Sequence, residues 1–171
     1  MNPMQQPRIE KITLNIGAGK DQTRLEKGMH VLKMITGTEP MKTVTMKRIP
    51  TWGLRPGLPI GCKLTLRKGK AVDVLKRLLS AKENRLKDSQ FDEAGNISFG
   101  IHEYIDIPGI TYDPKIGVLG LQVCVTLEKP GYRIKRRKLE QKNIPKKHMV
   151  TKAEAMSFMQ KNFGITIGEK S

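Results

Sequence analysis

Between Ile60 and Arg67 the chain alternates without interruption. Ile60, Cys62, Leu64 and Leu66 are apolar, while Gly61, Lys63, Thr65 and Arg67 are small or polar. Successive side chains of an extended strand point to opposite faces, so such a segment needs one face covered and the other open. The same period recurs along the chain. Ile12, Leu14 and Ile16 alternate with Lys11, Thr13 and Asn15, and Val44 and Met46 with Thr43, Thr45 and Lys47. Ile97, Phe99, Ile101 and Ile105 share one face of a strand over 97–105, and Leu121, Val123, Val125 and Leu127 share one face of another. Five half-buried strands predict an antiparallel sheet with something apolar laid over one side.

Two helices supply that cover. Asp21 is a plausible N-cap for a helix from about Gln22 to Thr36, with Leu25, Met29, Leu32 and Ile35 at helical spacing and Gly37 as its stop. A second follows Gly69, turning Val72, Leu75, Leu78, Leu79 and Leu86 inward. Between them, Ile49 to Pro59 holds three prolines and two glycines in eleven residues and reads as an extended, partly stiff loop. Residues 106–120 also read as a loop. From Lys129 to Lys147 the periodicity is lost in a basic stretch that would be disordered if taken alone. Thr151-Lys-Ala-Glu154 is a capping box, opening a helix with Ala155, Met156, Met159 and Phe163 along one side and Gly164 at its end. Ile165 to Ile167 could add an edge strand. The expected fold is α+β: an antiparallel sheet of about five strands with helices on one face. Residues 1–128 form the core, with a basic loop at 48–59. Residues 129–171 form a basic extension and a C-terminal helix packing on the same domain.

The distribution of charge narrows the function. The 171 residues carry 32 Lys and Arg against 16 Asp and Glu, a formal net charge of +16. Residues 41–70 hold eight basic groups and no acidic one, and residues 129–171 hold twelve against three. The block between them, 71–128, has six against nine. Charge spread merely for solubility would not concentrate in two stretches that repel themselves. A polyanion relieves that repulsion, and nucleic acid is the commonest one.

The sheet face opposite the helices would carry Lys11, Thr13, Asn15, Thr43, Thr45, Lys47, Lys63, Thr65, Arg67, Gln122, Cys124 and Thr126. Short hydroxyl and amide groups among cations let a sugar-phosphate backbone approach closely and donate to its oxygens. Threonine also suits any solvated strand. It is the +8 stretch that favours RNA. Only Tyr104 has the phase of a stacking aromatic on this face, which argues for a structured RNA read through backbone and shape rather than splayed bases.

Other chemistry finds little support. Gly17-Ala-Gly19-Lys20 resembles a phosphate-binding turn, but Asp21 follows where Ser or Thr is required, and Gln22 stands where a dinucleotide turn needs glycine. His30, His102 and His148 are scattered, and Asp88, Asp92 and Glu93 sit in a turn. Two cysteines make neither a disulfide framework nor a four-ligand zinc site, and Cys62 shares its phase with core leucines. No cofactor, enzymatic activity, secretory signal or membrane span is expected, and a cytoplasmic location is. A free basic RNA chaperone or compaction protein is the alternative reading.

Longer motifs add a resemblance. Pro7-Arg-Ile-Glu-Lys11 followed by Asn15-Ile-Gly-Ala-Gly19, Ile35-Thr-Gly37 with Pro40, and Arg55-Pro-Gly-Leu-Pro-Ile-Gly-Cys-Lys-Leu-Thr-Leu-Arg67 occur in that order. Phe91-Asp92, Gly95-Asn96, Gly100-Ile101 and Ile110-Thr-Tyr-Asp113 follow. Over residues 7–127 and the terminal helix the chain resembles the large-subunit ribosomal protein five family, the universal binders of 5S ribosomal RNA. The short segment before Pro7 and the basic stretch 129–147 look like its archaeal and eukaryotic branch. The resemblance implies a place in the central protuberance of the large ribosomal subunit, with large-subunit rRNA and neighbouring proteins as partners. It carries over Asn15, Thr38 and Thr65 as 5S rRNA contacts, although bacterial members commonly have Gln where Thr38 stands. Lys63 and Arg67 join them by sharing the strand face. It also implies that the loop with Arg48, Trp52 and Arg55 approaches P-site tRNA. A bridge to small-subunit ribosomal protein thirteen is implied too, with the 106–120 loop as its candidate. The basic tail residues Arg133, Lys135, Arg136, Arg137 and Lys138 are expected to thread rRNA and to order only on assembly.

Overall fold

The computed structural model describes residues 2–168. Its strands are β1 (Arg8–Gly17), β2 (Met41–Val44), β3 (Pro59–Leu66), β4 (Arg85–Lys87), β5 (Ile97–Ile101), β6 (Leu121–Glu128) and β7 (Thr166–Gly168). Five of them form one sheet in the order β2-β3-β1-β6-β5, every neighbour antiparallel. Helices α1 (Gln22–Thr36), α2 (Gly69–Ser80) and α3 (Lys152–Phe163) contribute to one buried cluster with its apolar side. The α+β expectation holds.

Local chemistry accounts for the helix ends. The Asp21 carboxylate accepts from the backbone N–H groups of Thr23 and Arg24, at 2.9 and 3.3 Å. Its pKa is lowered by hydrogen bonding, led by the Thr23 hydroxyl. The carboxylate thus occupies the amides a phosphate would need at the Gly17–Lys20 turn. Gly37 and Gly164 close α1 and α3 in left-handed conformation. The Thr151–Glu154 capping box is formed in both directions. α1 lies close to the sheet at Gly28, where a Cβ would stand 3.1 Å from Ile16 and 3.2 Å from the Cys62 sulfur. Cys62 is fully buried there, and burial pushes its thiol up to about 11.

Several expectations need correction. β2 ends at Val44, and its inward phase is the reverse of that predicted beyond this point: Thr45 is buried while Val44 and Met46 are exposed. A register shift between Thr43 and Val44 against β3 causes the inversion, and Thr45 hydrogen-bonds through its N–H and hydroxyl to Leu58 O. The 48–59 segment is not extended. Ile49 and Leu54 exchange backbone hydrogen bonds, residues 50–52 make a 3-10 turn, and Leu54 is buried, so the segment closes into a lobe.

α2 stops at Ser80. Glu83 and Asn84 take positive φ, and Leu86 reaches the core from the short strand β4. β7 pairs in parallel with β4 in a separate two-stranded sheet and is not an edge of the main one. β5 ends at Ile101, and Tyr104 lies wholly buried in a 3-10 turn, its hydroxyl accepting from the Asp113 N–H at 3.1 Å. The one aromatic assigned to the open face is therefore a core residue. The 106–120 loop also buries Ile107, Ile116 and Leu119.

The basic segment after Lys129 has little regular structure, as its sequence implies, but it folds back onto the protein. Tyr132 donates its hydroxyl hydrogen to His148 O at 3.3 Å, and the His148 ring contacts Pro130 O at 2.8 Å. At its start Lys129 is buried, and its ammonium donates to Glu154 at 2.8 Å and to Met149 O at 3.1 Å. Val150, Ala155, Met159 and Ile165 complete the central cluster.

Candidate nucleic-acid interface

The register of the sheet arranges its open face into rows. Met41, Lys63, Asn15, Gln122 and Gly100 stand side by side across all five strands. Thr65, Thr13, Cys124 and Ser98 form the next row, and Lys11 lies beside Thr126. On the other side, Thr43, Gly61 and Gly17 align. None of these residues is acidic, and the alternating partners Ile12, Leu14, Ile16, Leu64, Leu66, Val123 and Val125 are all buried against the helices. The polar side is thus presented as a shallow surface by a core that cannot rotate away from it.

Within it, Asn15 Nδ2 donates to Gln122 Oε1 at 3.0 Å. The bond holds both amides upright and leaves Asn15 Oδ1 as an acceptor and the Gln122 amide N–H groups as donors. Lys63, Thr65 and Arg67 are exposed. At Gly61 a Cβ would meet Ile16 O at 2.7 Å and Thr43 Oγ1 at 3.1 Å, so this crossing of three strands admits only glycine. Cys124 is a free, exposed thiol in the middle of the face.

The remaining site residues lie elsewhere. Thr38 is in the turn from α1 to β2, its hydroxyl donating to Thr36 O at 3.4 Å. Arg48, Trp52 and Arg55 are exposed on the 45–58 lobe, and Trp52 is 68% exposed. Gly53, at φ 66°, reverses the chain between Trp52 and the buried Leu54, which separates the exposed tip from its anchored base. Arg133, Lys135 and Lys138 are exposed with no carboxylate partner among the described residues. Arg137 pairs loosely with Glu140 at 3.6 Å. Arg136 differs: its guanidinium sits between Glu10, at 3.0 Å, and Glu128. Arg8 reaches Glu128 from the other side at 2.8 Å. Arg136 is therefore an anchor for the basic segment.

Sequence reasoning overlooked Ser98 and Gly100, which complete the rows on β5. Their signal was available, because Ile97, Phe99 and Ile101 inward place 98 and 100 outward. It also overlooked the Lys129–Glu154 pair, for which the sequence carries no signal, since a lysine in a basic run gives no hint of burial.

Comparison with known proteins assigns the chain to a family. The family model described as ribosomal protein L5 matches residues 2–55, and the model of the C-terminus of the same ribosomal family matches residues 59–158. Large ribosomal subunit protein uL5 of Sulfurisphaera tokodaii is 47% identical, over 99% of this chain and 96% of that protein. The protein of the same name from Methanosphaera stadtmanae is 47% identical over 98% of this chain and 99% of its own, and that from Nanoarchaeum equitans 46% over 97% and 98%. With matches spanning both family models and nearly the whole chain in archaeal relatives, the chain belongs to the ribosomal protein L5 family.

Proposed function

We propose that this ribosomal protein is a constituent of the large ribosomal subunit, in the cytoplasm, that binds 5S rRNA through the open face of its sheet and attaches it in the central protuberance. The observation that carries this reading is the set of cross-strand rows: short polar groups and lysines, no carboxylate, and a rigid apolar underside. Such a surface matches a folded RNA backbone in charge and in depth of approach. Asn15, Lys63, Thr65 and Arg67 make the contact, with Thr38 at its margin. The lobe bearing Arg48, Trp52 and Arg55 reaches toward P-site tRNA. A lobe with an exposed tip and a buried base at Thr45 and Leu54 can follow a tRNA that moves through its site. Arg133, Lys135, Arg137 and Lys138 contact rRNA from a segment that Arg136 and Lys129 hold in place. Small-subunit ribosomal protein thirteen is bridged from the 106–120 loop. The protein acts by binding and is not an enzyme.

The test is filter binding to 5S RNA and to an equally long duplex RNA across a salt series. If the whole protein, face and basic segments together, neutralises about 5–8 phosphates, log K falls with log salt at a slope of about −5 to −7. The 5S RNA should bind more tightly at every salt concentration. Equal affinity for the two RNAs would favour a free RNA chaperone instead.

A further inference from the structure

A groove runs along the outer side of α3, on the helix-covered side of the sheet. Its wider part, about 690 Å³, lies between α3 and the N-terminal residues 5–7. It continues as about 400 Å³ between α3, α2 and the start of β1, and Phe158 and Asn162 line both parts. The wider part is lined by Gln5, Gln6 and Ser157 beside Pro7, Ala153 and Phe158, and the floor becomes apolar in the narrower part. Phe158 and Phe163 are only partly buried and meet edge to face, with centroids 6.4 Å apart, beside Ile9 and Val72. The rims are cationic on both sides: Lys68 and Lys76 from the α2 side, and Lys161 from α3. All three are exposed, and none has a carboxylate partner among the described residues. The acidic residue lining the groove, Glu154, is already engaged by Lys129.

We propose that this groove docks an extended acidic protein segment, with aromatic or aliphatic anchors on Phe158 and Phe163 and flanking Asp or Glu side chains on Lys68, Lys76 and Lys161. The charge is complementary on both rims and the floor is complementary to apolar anchors. The tilted phenylalanine pair sits in a cleft and offers no flat platform on which bases could stack. The groove lies opposite the polar rows, so a protein partner and an RNA can be held at once. This surface is independent of the RNA assignment.

The test uses the full-length protein at physiological salt, where exposed charges more than about 8 Å apart are largely screened from one another. The probe is a short fluorescein-labelled peptide in which Asp/Glu pairs flank Phe and Leu, read by anisotropy. It should bind saturably, both to the free protein and to the protein already loaded with 5S RNA. The peptide with Phe and Leu changed to Ser should bind at least tenfold more weakly. The double variant Lys76→Glu with Lys161→Glu should weaken the original peptide about tenfold and leave 5S RNA affinity within twofold. The proposal is overturned if the peptide does not saturate or the Ser peptide binds equally well. An unaffected double variant, or displacement of the peptide by oligouridylate at comparable concentration, would also overturn it.

Discussion

Removing the charge of Glu154 while keeping its hydrogen-bonding shape tests how the basic segment is held. The Lys129 side chain is 5% exposed and that of Glu154 41% exposed, with 2.8 Å between them. Breaking a fully buried pair by deleting one partner costs about 3–5 kcal/mol, because the other charge is left in a low dielectric. Here the acid is more than a third exposed and Met149 O still accepts from the ammonium, so screening reduces the cost of Glu154→Gln to about 2 kcal/mol. Glutamine preserves the capping box, so helix-end effects stay small. Lys129→Met removes the buried charge altogether and should cost under about 1 kcal/mol. The double variant should then match Lys129→Met, giving a coupling of about 2 kcal/mol. Urea unfolding at neutral pH measures all four proteins, and the single Glu154→Gln change should also lower Tm by about 4–8 °C. Burial pushes the Glu154 carboxyl up, but hydrogen bonds from Lys129 and the Thr151 N–H outweigh it and hold its pKa below the ordinary glutamate value. A lowered folded-state pKa gives stability that is present above the unfolded value and fades as pH falls through the folded one. The gap between wild type and Glu154→Gln should therefore narrow as pH falls below the ordinary glutamate value of about 4.3. A cost under about 0.5 kcal/mol, or an equal cost for both single variants, would refute the reasoning.

Three further outcomes bear on the interface. Asn15→Asp with Thr65→Asp places two carboxylates on the face proposed to meet RNA and should weaken 5S binding at least tenfold in a filter assay; unchanged affinity would contradict the assignment of the face. Trp52→Ala with Arg55→Ala removes exposed side chains only, so it should leave 5S affinity and Tm unchanged while weakening the P-site tRNA contact measured on assembled ribosomes. Alkylation should modify Cys124 and spare the buried Cys62, whose thiol is also pushed up to about 11, and bound 5S RNA should protect Cys124.

Much of this architecture was legible along the chain because its signals are local. Alternation of Ile12, Leu14 and Ile16, and of Cys62, Leu64 and Leu66, assigns strands and their faces without reference to anything distant. Asp21, Gly37, Thr151 and Gly164 mark helix ends through hydrogen bonds made within one turn. The candidate interface followed from the same period, since whatever lies out of phase with the core must face the other way. Chain position also revealed the segregation of cations, on which the RNA reading rests.

Where local signals compete, packing decided. Val44 and Met46 have the alternation of buried residues, yet an edge strand with a register shift against β3 buries Thr45 in their place. Tyr104 shares the outward phase of its strand, but the strand ends at Ile101 and the ring is buried in the core with a partner at Asp113. The basic segment reads as a disordered tail until Glu10 and Glu154, distant in sequence, join Glu128 around Arg136 and Lys129. Periodicity and capping are properties of neighbours in the chain, so the amino-acid order alone determined the principal strands, the helix starts and which of their residues lie out of phase with the core. Register at a sheet edge, the cost of burying a charge and the meeting of distant carboxylates depend on which surfaces come together, and only the tertiary structure could decide them.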